Sequence, residues 1–238
     1  MMVWAGTAEE DTTVSGSTTH GGDCVVAVDG PSGSGKSTVS RRLALALRAR
    51  YLDTGAMYRA VTWAVLRDGI DPDDAEAVAK VADTIHLDVQ TDPRAPHVSV
   101  DGLPVEREIR GPDVTRAVSA VAAVPAVRRR LVASQREIIA AHRRIVVEGR
   151  DIATVVAPDA DLKVYLTAAA AERARRRSAQ NAADVTATAA DLARRDLLDS
   201  NRAADPLRAA PDAVVLDSTE LGVDEVVGRL VALLAEAA

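Results

Sequence analysis

Apolar and polar residues follow one another along the chain in the order expected of strands that lead into helices. Residues 24–28 (CVVAV) form a continuous apolar segment that ends in a glycine-rich turn, as buried parallel strands do. Apolar residues then recur at helical spacing between Val39 and Leu47, while arginines occupy the other faces. This pattern predicts a first strand, followed by an amphipathic helix from about Ser37 to Arg50.

Three more short apolar segments are strand candidates: residues 145–148, 162–166 and 213–216. Helical stretches separate them along the chain. Alternation of this kind is typical of a parallel sheet whose two faces are covered by helices. The pattern therefore predicts an α/β fold.

Two regions look inserted into this alternation. Residues 84–107 carry alternating segments around Asp92-Pro93 and Asp101-Gly102, which predicts a hairpin. Residues 172–208 are helical in pattern and rich in Arg and Asp, with little apolar surface to anchor them. A mobile lid and an ordinary exposed helical pair explain that composition equally well.

The composition is that of a globular protein with an aliphatic core. The 238 residues are 47% hydrophobic and 27% charged, yet only 2% aromatic, with no Phe. This length suits one α/β core with inserted subdomains better than two large domains. Residues 1–23 are rich in Gly, Ser, Thr and acidic residues, so we expect a disordered tail, in which His20 has no metal-ligand partners.

Charge and hydropathy narrow the range of partners. A net charge of −6 disfavours duplex nucleic acid or an anionic membrane as the main partner. No apolar run approaches the ~18 residues that span a bilayer. The single cysteine, Cys24, cannot form an intrachain disulfide, which fits a reducing cytosol. We therefore expect a cytoplasmic protein without membrane or nucleic-acid partners, and a monomer.

A phosphate-binding motif follows the first strand. Its pattern is G-x-x-x-x-G-K-[ST], between an apolar strand and an amphipathic helix, and it comprises Gly30, Pro31, Ser32, Gly33, Ser34, Gly35, Lys36 and Ser37, with Thr38 next. Glycines let backbone N–H groups turn toward phosphate oxygens, and the helix N-terminus adds partial positive charge. Lys36 would reach the β- and γ-phosphates and Ser37 would ligate Mg²⁺. The alternative, a glycine turn with a solvated lysine, is far less compatible with this context, so the motif predicts ATP or GTP binding.

The phosphate-binding motif and three further segments narrow the family. The segment VDGPSGSGKST (28–38), then YLDTGAMYR (51–59), EGRDIATVV (148–156) and the stretch from Arg195-Asp196 to Asn201-Arg202-Ala203 together resemble the bacterial cytidylate kinases. The resemblance runs from about Cys24 to the C-terminus. It implies a P-loop NTPase fold with a five-stranded parallel sheet flanked by helices, an inserted subdomain that binds a nucleoside monophosphate, and a helical lid.

The resemblance also implies domain bounds. The tail would comprise residues 1–23 and the kinase domain residues 24–238. Within that domain the core would comprise residues 24–53, 132–171 and 209–238. The monophosphate-binding subdomain would span 54–131, with a β insert at 84–107, and the lid would span 172–208.

Residue roles follow from the same resemblance. The positions that match the family's acceptor site are Thr54, Arg59, Ser119, Arg128, Arg150, Asp151, Arg195, Asp199 and Arg202. Arg59 and Arg150 would hold the acceptor's α-phosphate, because a planar guanidinium can bind two oxygens at once. Ser119, Arg128 and Asp151 would read the base. Asp199 would bind the ribose near Thr54, while Arg195 and Arg202 would close on sugar and phosphate.

The lid arginines Arg173, Arg176 and Arg177 would contact the donor phosphates. Lys36, Arg59, Arg150 and Arg202 would be the catalytic residues. Family members often carry a charged residue where Leu197, Leu198 and Ser200 stand here, and many have Ser at the position of Thr54. Glu148, where some relatives carry Asp, keeps the charge.

The implied reaction moves the γ-phosphoryl group of ATP to CMP and dCMP, with Mg²⁺ bound to the ATP. The acceptor oxygen is already anionic at neutral pH, so no general base is required, and none is obvious in the sequence. Catalysis then consists of in-line alignment and charge neutralisation. Two alternatives stay open: a P-loop kinase for another small acceptor, such as adenylate, guanylate or shikimate, and a nucleotide-dependent switch whose arginines dock a partner.

Overall fold

The computed structural model describes residues 22–181, 184–202 and 204–237. The predicted tail lies outside these ranges up to residue 21, and so does His20. The described strands are β1 (Cys24–Asp29), β2 (Arg50–Asp53), β3 (Leu87–Gln90), β4 (His97–Val100), β5 (Leu103–Pro104), β6 (Arg144–Gly149), β7 (Leu162–Thr167) and β8 (Val214–Asp217). The described helices are α1 (Lys36–Ala46), α2 (Thr54–Arg67), α3 (Ala75–Thr84), α4 (Pro112–Ala123), α5 (Pro125–Ala140), α6 (Ala170–Asn181), α7 (Val185–Ser200) and α8 (Val223–Ala237).

Five parallel strands form the central sheet, in the order β2-β6-β1-β7-β8. In β1, Val26 lies opposite Val146 of β6 on one side and Leu162 of β7 on the other. This confirms the predicted α/β sheet. Because β1 is central and its two neighbours come later in the chain, the strand order changes direction there. Ligands of open α/β sheets bind at the carboxyl ends of strands at such a point.

The chain between α1 and β2 corrects one prediction. The first helix ends at Ala46 rather than near Arg50, because Arg48 adopts a left-handed conformation with φ of 51°. The chain then turns directly into β2, whose Tyr51 pairs with Val146. This four-residue strand is one that the hydrophobic pattern did not predict, since only two of its residues are apolar enough to mark it.

Alternate residues of the central strands pack into two aliphatic cores, one on each face of the sheet. Ala27 of β1 and Leu52 of β2 pack with Met57 and other residues of α2, α4 and α5 on one face. Val26 and Val164 pack with α1 and α8 on the other face. Both faces of the sheet are thus covered, as the continuous apolar strands predict. Among the helices of the described ranges, none has the length and apolar character to cross a bilayer.

A second, antiparallel sheet in the order β3-β4-β5 occupies the region where alternation predicted a hairpin. Its Val98 and Val100 pack in the same aliphatic core as Met57, and two hydrogen bonds tie the β3–β4 connection to the central sheet and α1. The Tyr51 N–H donates to the Thr91 carbonyl at 2.9 Å, and Arg41 Nε donates to the Pro93 carbonyl at 3.1 Å. Helices α6 and α7 form a pair within the stretch predicted as a lid or an exposed helical pair.

Helix α3 offers a test of local stability that leaves the rest of the molecule untouched. The Asp74 carboxylate caps this helix by accepting from the N–H groups of Glu76 at 3.1 Å and Ala77 at 3.0 Å. Losing an N-cap of this kind costs about 1 kcal/mol. We expect Asp74→Ala to lower the free energy of unfolding by about that amount in urea titration. Asp73→Ala, which removes an adjacent exposed carboxylate, is the control, and an equal loss there would contradict the capping role.

Candidate functional site

The turn after β1 can be built only with glycines at its tightest points. Gly30 has φ of 148°, and a Cβ there would lie 2.1 Å from the Leu166 carbonyl oxygen of β7. Gly33 has φ of 79°, and a Cβ there would lie 2.9 Å from the Arg173 carbonyl oxygen of α6. Glycines therefore serve two purposes: they free the backbone N–H groups to face an anion, and they let β7 and α6 approach the turn.

Lys36 and Ser37, at the start of α1, lie beside a buried carboxylate. Lys36 Nζ donates to the Pro31 carbonyl at 2.7 Å, and burial together with the Arg150 charge lowers the pKa of this lysine. Ser37 Oγ donates to Glu148 Oε2 at 3.1 Å. Burial and the nearby Asp53 charge raise the pKa of Glu148. An ammonium ion, a hydroxyl and a carboxylate thus meet at the carboxyl ends of β1 and β6.

A cavity of about 1420 Å³ extends from this turn to the helices of the acceptor side. Its volume exceeds the ~300–1,000 Å³ typical of a site for one small ligand. The sequence-predicted residues that line it are Ser32, Gly33, Ser34, Gly35, Lys36, Ser37, Thr38, Thr54, Arg59, Ser119, Arg150, Asp151, Arg176, Arg177, Arg195, Asp199 and Arg202. The predicted residues that do not line it are Gly30, Pro31, Arg128 and Arg173. Residues from widely separated segments therefore converge on one space that is larger than a single small ligand requires.

Several arginines of the cavity are desolvated. Burial and the charges of Arg195 and Arg177 lower the pKa of Arg59 to about 9. Burial and the Arg150 charge lower the pKa of Arg195 to about 10. Arg59 also uses one nitrogen to donate to the Ile109 carbonyl at 2.9 Å, which fixes its guanidinium. Cations that lower one another's pKa values are poorly neutralised, and bound phosphates would relieve that repulsion.

Arg150 and Asp199 join the two sides of the cavity. Arg150 Nε donates to Asp199 Oδ2 at 2.9 Å, and its Nη1 donates to the Gly30 carbonyl at 2.8 Å. Asp199 Oδ1 accepts from Ser119 Oγ at 3.3 Å. Burial acts to raise the pKa of Asp199, but the charge of Arg150 lowers it below its ordinary value. A carboxylate whose ionised form is favoured by Arg150 is therefore held at the wall formed by α7.

Arg128 and Asp151 form a buried ion pair at the side of the cavity near α4. Arg128 is 3% exposed, and its Nη2 donates to Asp151 while its Nε donates to Asp205 at 2.9 Å. Arg128 Nη1 has no hydrogen-bond partner among the described residues. Burial raises the pKa of Asp151, against the opposing charge of Arg128. The Arg128 Nη1 group of this pair is therefore a buried donor without a hydrogen-bond partner among the described residues.

The predicted lid arginines Arg173 and Arg176 donate hydrogen bonds to other parts of the protein. Arg173 Nη1 donates to the Ser32 carbonyl at 3.0 Å and to Asp196. Asp196 in turn accepts from the Ser32 N–H at 3.3 Å. Arg176 Nη2 donates to the Ser218 carbonyl at 2.7 Å. In this structure these contacts fasten α6 and α7 onto the phosphate-binding turn, and Arg177 lines the cavity beyond them.

Sequence reasoning missed several residues of the site. The Asp29 carboxylate accepts from the N–H groups of Ile152 at 2.9 Å and Ala153 at 2.8 Å, and burial raises its pKa to about 6. Arg110 lines the cavity 3.9 Å from Asp53. A signal for Asp29 did exist, because an acidic residue at the end of a buried apolar strand needs a partner.

The donor set beside the phosphate-binding turn fits a magnesium ion that arrives with a nucleotide. No group of three or more His, Cys, Asp or Glu side chains positioned to hold a metal occurs within the described ranges. Mg²⁺ is commonly bound through one or two protein oxygens together with substrate phosphates and waters. The Ser37 hydroxyl and the Glu148 carboxylate, which are hydrogen-bonded to each other, supply hard oxygens of that kind.

Comparison with known proteins agrees with this geometry. The Cytidylate kinase family profile matches residues 26–236. The chain is 57% identical over 217 residues to the cytidylate kinase of Rhodococcus opacus (strain B4), which covers 89% of this chain and 95% of that protein. It is 50% identical over 218 residues to the cytidylate kinase of Corynebacterium glutamicum, covering 90% and 95%.

A solved structure is similar in fold alone. The crystal structure of an uncharacterized protein from Eubacterium ventriosum ATCC 27560 superposes with a TM-score of 0.51 at 10% identity, over 90% of this chain and 99% of that chain. The family profile and the close relatives each span nearly the whole domain from β1 to α8. Together with the two-sided, arginine-lined cavity, they show that this chain belongs to the cytidylate kinase family.

Proposed function

We propose that this chain transfers the γ-phosphoryl group of ATP to CMP, giving ADP and CDP. The observation that carries the proposal is the convergence of Lys36, on the donor side, with Arg59 and Arg150, on the acceptor side, in one cavity of a cytidylate kinase family member. A cavity that binds only one nucleotide would not need the second group of cations.

The chemistry requires positioning rather than proton abstraction. A nucleoside monophosphate presents an oxygen that is already anionic, so it can attack without a general base. Lys36 would neutralise charge that develops on the transferring group, and the arginines would hold the two phosphate chains in line. The desolvation that lowers the pKa of Arg59 also strengthens its attraction for phosphate.

The acceptor roles divide by position in the cavity. Arg59 and Arg150 would bind the α-phosphate of CMP, and Arg202 would join them from the end of α7. Asp199, kept ionised by Arg150, would accept hydrogen bonds from the ribose hydroxyls. Deoxyribose retains one of these hydroxyls, so dCMP would bind through the same carboxylate.

Ser37 and Glu148 would hold a magnesium ion that arrives with the ATP phosphates. When bound, the ion neutralises charge on the β- and γ-phosphates. The Ser37 hydroxyl donates its hydrogen to Glu148, which leaves the oxygen lone pairs for a cation. Thr54 Oγ1 supports this arrangement by donating to the Glu148 carbonyl at 2.7 Å.

The direct test is an acceptor panel. Initial rates of ADP formation from ATP would be measured with CMP, dCMP, UMP, AMP, GMP and shikimate, and the phosphorylated products would be identified. We expect CMP and dCMP to stimulate ADP formation strongly, with CDP and dCDP as products. A preference for AMP, GMP or shikimate would point to another acceptor, and binding of ATP without stimulated turnover would point to a switch.

Closure of the α6–α7 pair over the nucleotides would exclude water from the reaction. Arg177 and Arg195 bring positive charge to one space, so bound phosphates should stabilise the contact that Arg173 of α6 already makes with Ser32. We expect trypsin to cleave within residues 172–208 about tenfold more slowly when ATP and CMP are both bound than with no ligand. Cleavage between α2 and α3, at Arg67, is the internal control. Equal rates with and without ligands would contradict a lid.

We further propose that the chain works as a cytoplasmic monomer on free nucleotides. The net charge of −6 and the location of many arginines within a cavity support small anionic substrates rather than a nucleic-acid surface. Sedimentation at micromolar concentration would measure the assembly state directly.

A further inference from the structure

Tyr51 is buried in the core and contacts Glu148, the carboxylate beside the phosphate-binding turn. It is the second residue of β2 and is 2% exposed. Its phenol donates a hydrogen bond to Glu148 Oε1, and the other carboxylate oxygen, Oε2, accepts from Ser37 Oγ at 3.1 Å. Glu148 itself is 3% exposed. One buried carboxylate therefore accepts from two hydroxyls, one on each oxygen.

This arrangement fixes the orientation of Glu148. A buried carboxylate is costly unless it is hydrogen-bonded, so Glu148 depends on its few partners. If the phenol were absent, Oε1 would lose a donor and the carboxylate could rotate away from Ser37. The backbone N–H of Tyr51 is held by the Thr91 carbonyl at 2.9 Å, which limits how far Tyr51 itself can move.

We propose that Tyr51 is a positioning residue for the magnesium end of the site: by fixing Glu148, it keeps the Ser37 hydroxyl oriented toward the metal that accompanies ATP. This inference rests on the proposed function and deepens it. It assigns Tyr51 no contact with a nucleotide. It also gives a functional reason for a tyrosine at a position where phenylalanine would fill the same apolar space without a buried polar atom.

The test compares Mg²⁺-dependent ATP binding of the wild-type chain and Tyr51→Phe by calorimetry, without CMP. Loss of a hydrogen bond to a charged group should raise the half-saturating Mg²⁺ concentration about five- to tenfold. ATP affinity in EDTA should change less than about twofold, because the metal then takes no part. Tyr165→Phe, on β7 of the same sheet, is the matched control, since the Tyr165 hydroxyl makes no hydrogen bond to Glu148.

A double-mutant cycle distinguishes positioning from packing. If Tyr51 acts through Glu148, then Tyr51→Phe should have little further effect on Mg²⁺ dependence in a Glu148→Gln background. An unchanged Mg²⁺ dependence in Tyr51→Phe would overturn the proposal, and so would an equal loss of ATP affinity with Mg²⁺ and with EDTA. Should Tyr51→Phe fail to fold, Tyr51→Leu removes the same donor and is measured in the same way.

These outcomes are separate from those of the proposed function. The calorimetric comparison uses ATP and Mg²⁺ alone, so it stands whether or not CMP is the acceptor. Conversely, a wild-type chain that fails to phosphorylate CMP would refute the proposed function and leave the Tyr51 comparison intact.

Discussion

Replacing Lys36 with methionine is expected to lower kcat for CMP phosphorylation by about 10²–10³-fold, the loss typical of removing one group that stabilises transition-state charge. Lys36 is buried at the phosphate-binding turn, and its Nζ already donates to the Pro31 carbonyl at 2.7 Å. Methionine keeps most of the aliphatic stem but no positive charge. The affinity for CMP alone, measured by calorimetry, should change little, because Lys36 lies on the donor side of the cavity.

Lys80→Met is the matched control for this experiment. Lys80 is an exposed residue of α3 that pairs with Glu76 at 2.8 Å, so its loss should leave kcat unchanged. Near wild-type turnover in Lys36→Met would remove the phosphate-binding turn from the mechanism. An equal loss of CMP affinity would instead mean that Lys36 holds the acceptor or the architecture of the whole site.

Replacing Asp151 with asparagine is expected to narrow the preference for CMP over UMP. Cytosine presents an amino donor at N4 and acceptors at N3 and O2, whereas uracil presents an acceptor at O4 and a donor at N3. A carboxylate can accept from N4, and a guanidinium can donate to N3 and O2. Sites built on such polar pairing can reject a mismatched analogue by ~10⁴-fold. We expect kcat/KM for CMP to fall about 10²-fold or more, and for UMP less than about tenfold.

The structure also offers a second role for Asp151, in which it affects selectivity only through Arg128. Asp151 accepts from Arg128, so it could serve only to hold that arginine in place. The unsatisfied Arg128 Nη1 supports a role in base reading, although Arg128 does not line the cavity and a movement would be needed to reach a base. If Asp151→Asn lowers kcat/KM for CMP and UMP by the same factor, Asp151 only positions the arginine.

Asp205→Asn is the control for the ion pair. Asp205 also accepts from Arg128, at 2.9 Å, but it does not line the cavity. Its replacement removes one partner of the same guanidinium and leaves the Asp151 carboxylate in place. A change in the CMP to UMP ratio as large as that of Asp151→Asn would assign selectivity to Arg128 orientation rather than to the Asp151 carboxylate.

Local sequence determined a large part of this protein. The glycine pattern from Gly30 to Gly35 specifies a turn that only glycine can build, and the apolar run before it specifies a buried parallel strand. The spacing of these residues is local, so sequence alone is enough to predict the turn and the strand. The predicted parallel sheet and the predicted family were both confirmed. The assigned nucleotide contacts stay predictions.

Tertiary structure decided the features that depend on distant residues. Strand β2 exists because Tyr51 pairs with Val146 and because Arg48 turns the chain, and neither feature leaves a clear apolar pattern. Arg173 belongs to the predicted lid, yet it contacts Ser32 of the phosphate-binding turn. Such contacts form only when parallel strands bring their carboxyl ends together.

Glu148 shows the same difference between what the local sequence predicts and what the tertiary structure decides. The sequence places Glu148 next to a recognisable motif, but not beside Ser37 or Tyr51, which lie 111 and 97 residues away along the chain. Burial then raises the pKa of Glu148, an effect that arises only in the folded core. Residue types and local spacing are written in the chain, whereas desolvation and the pairing of charges depend on which segments the sheet brings together.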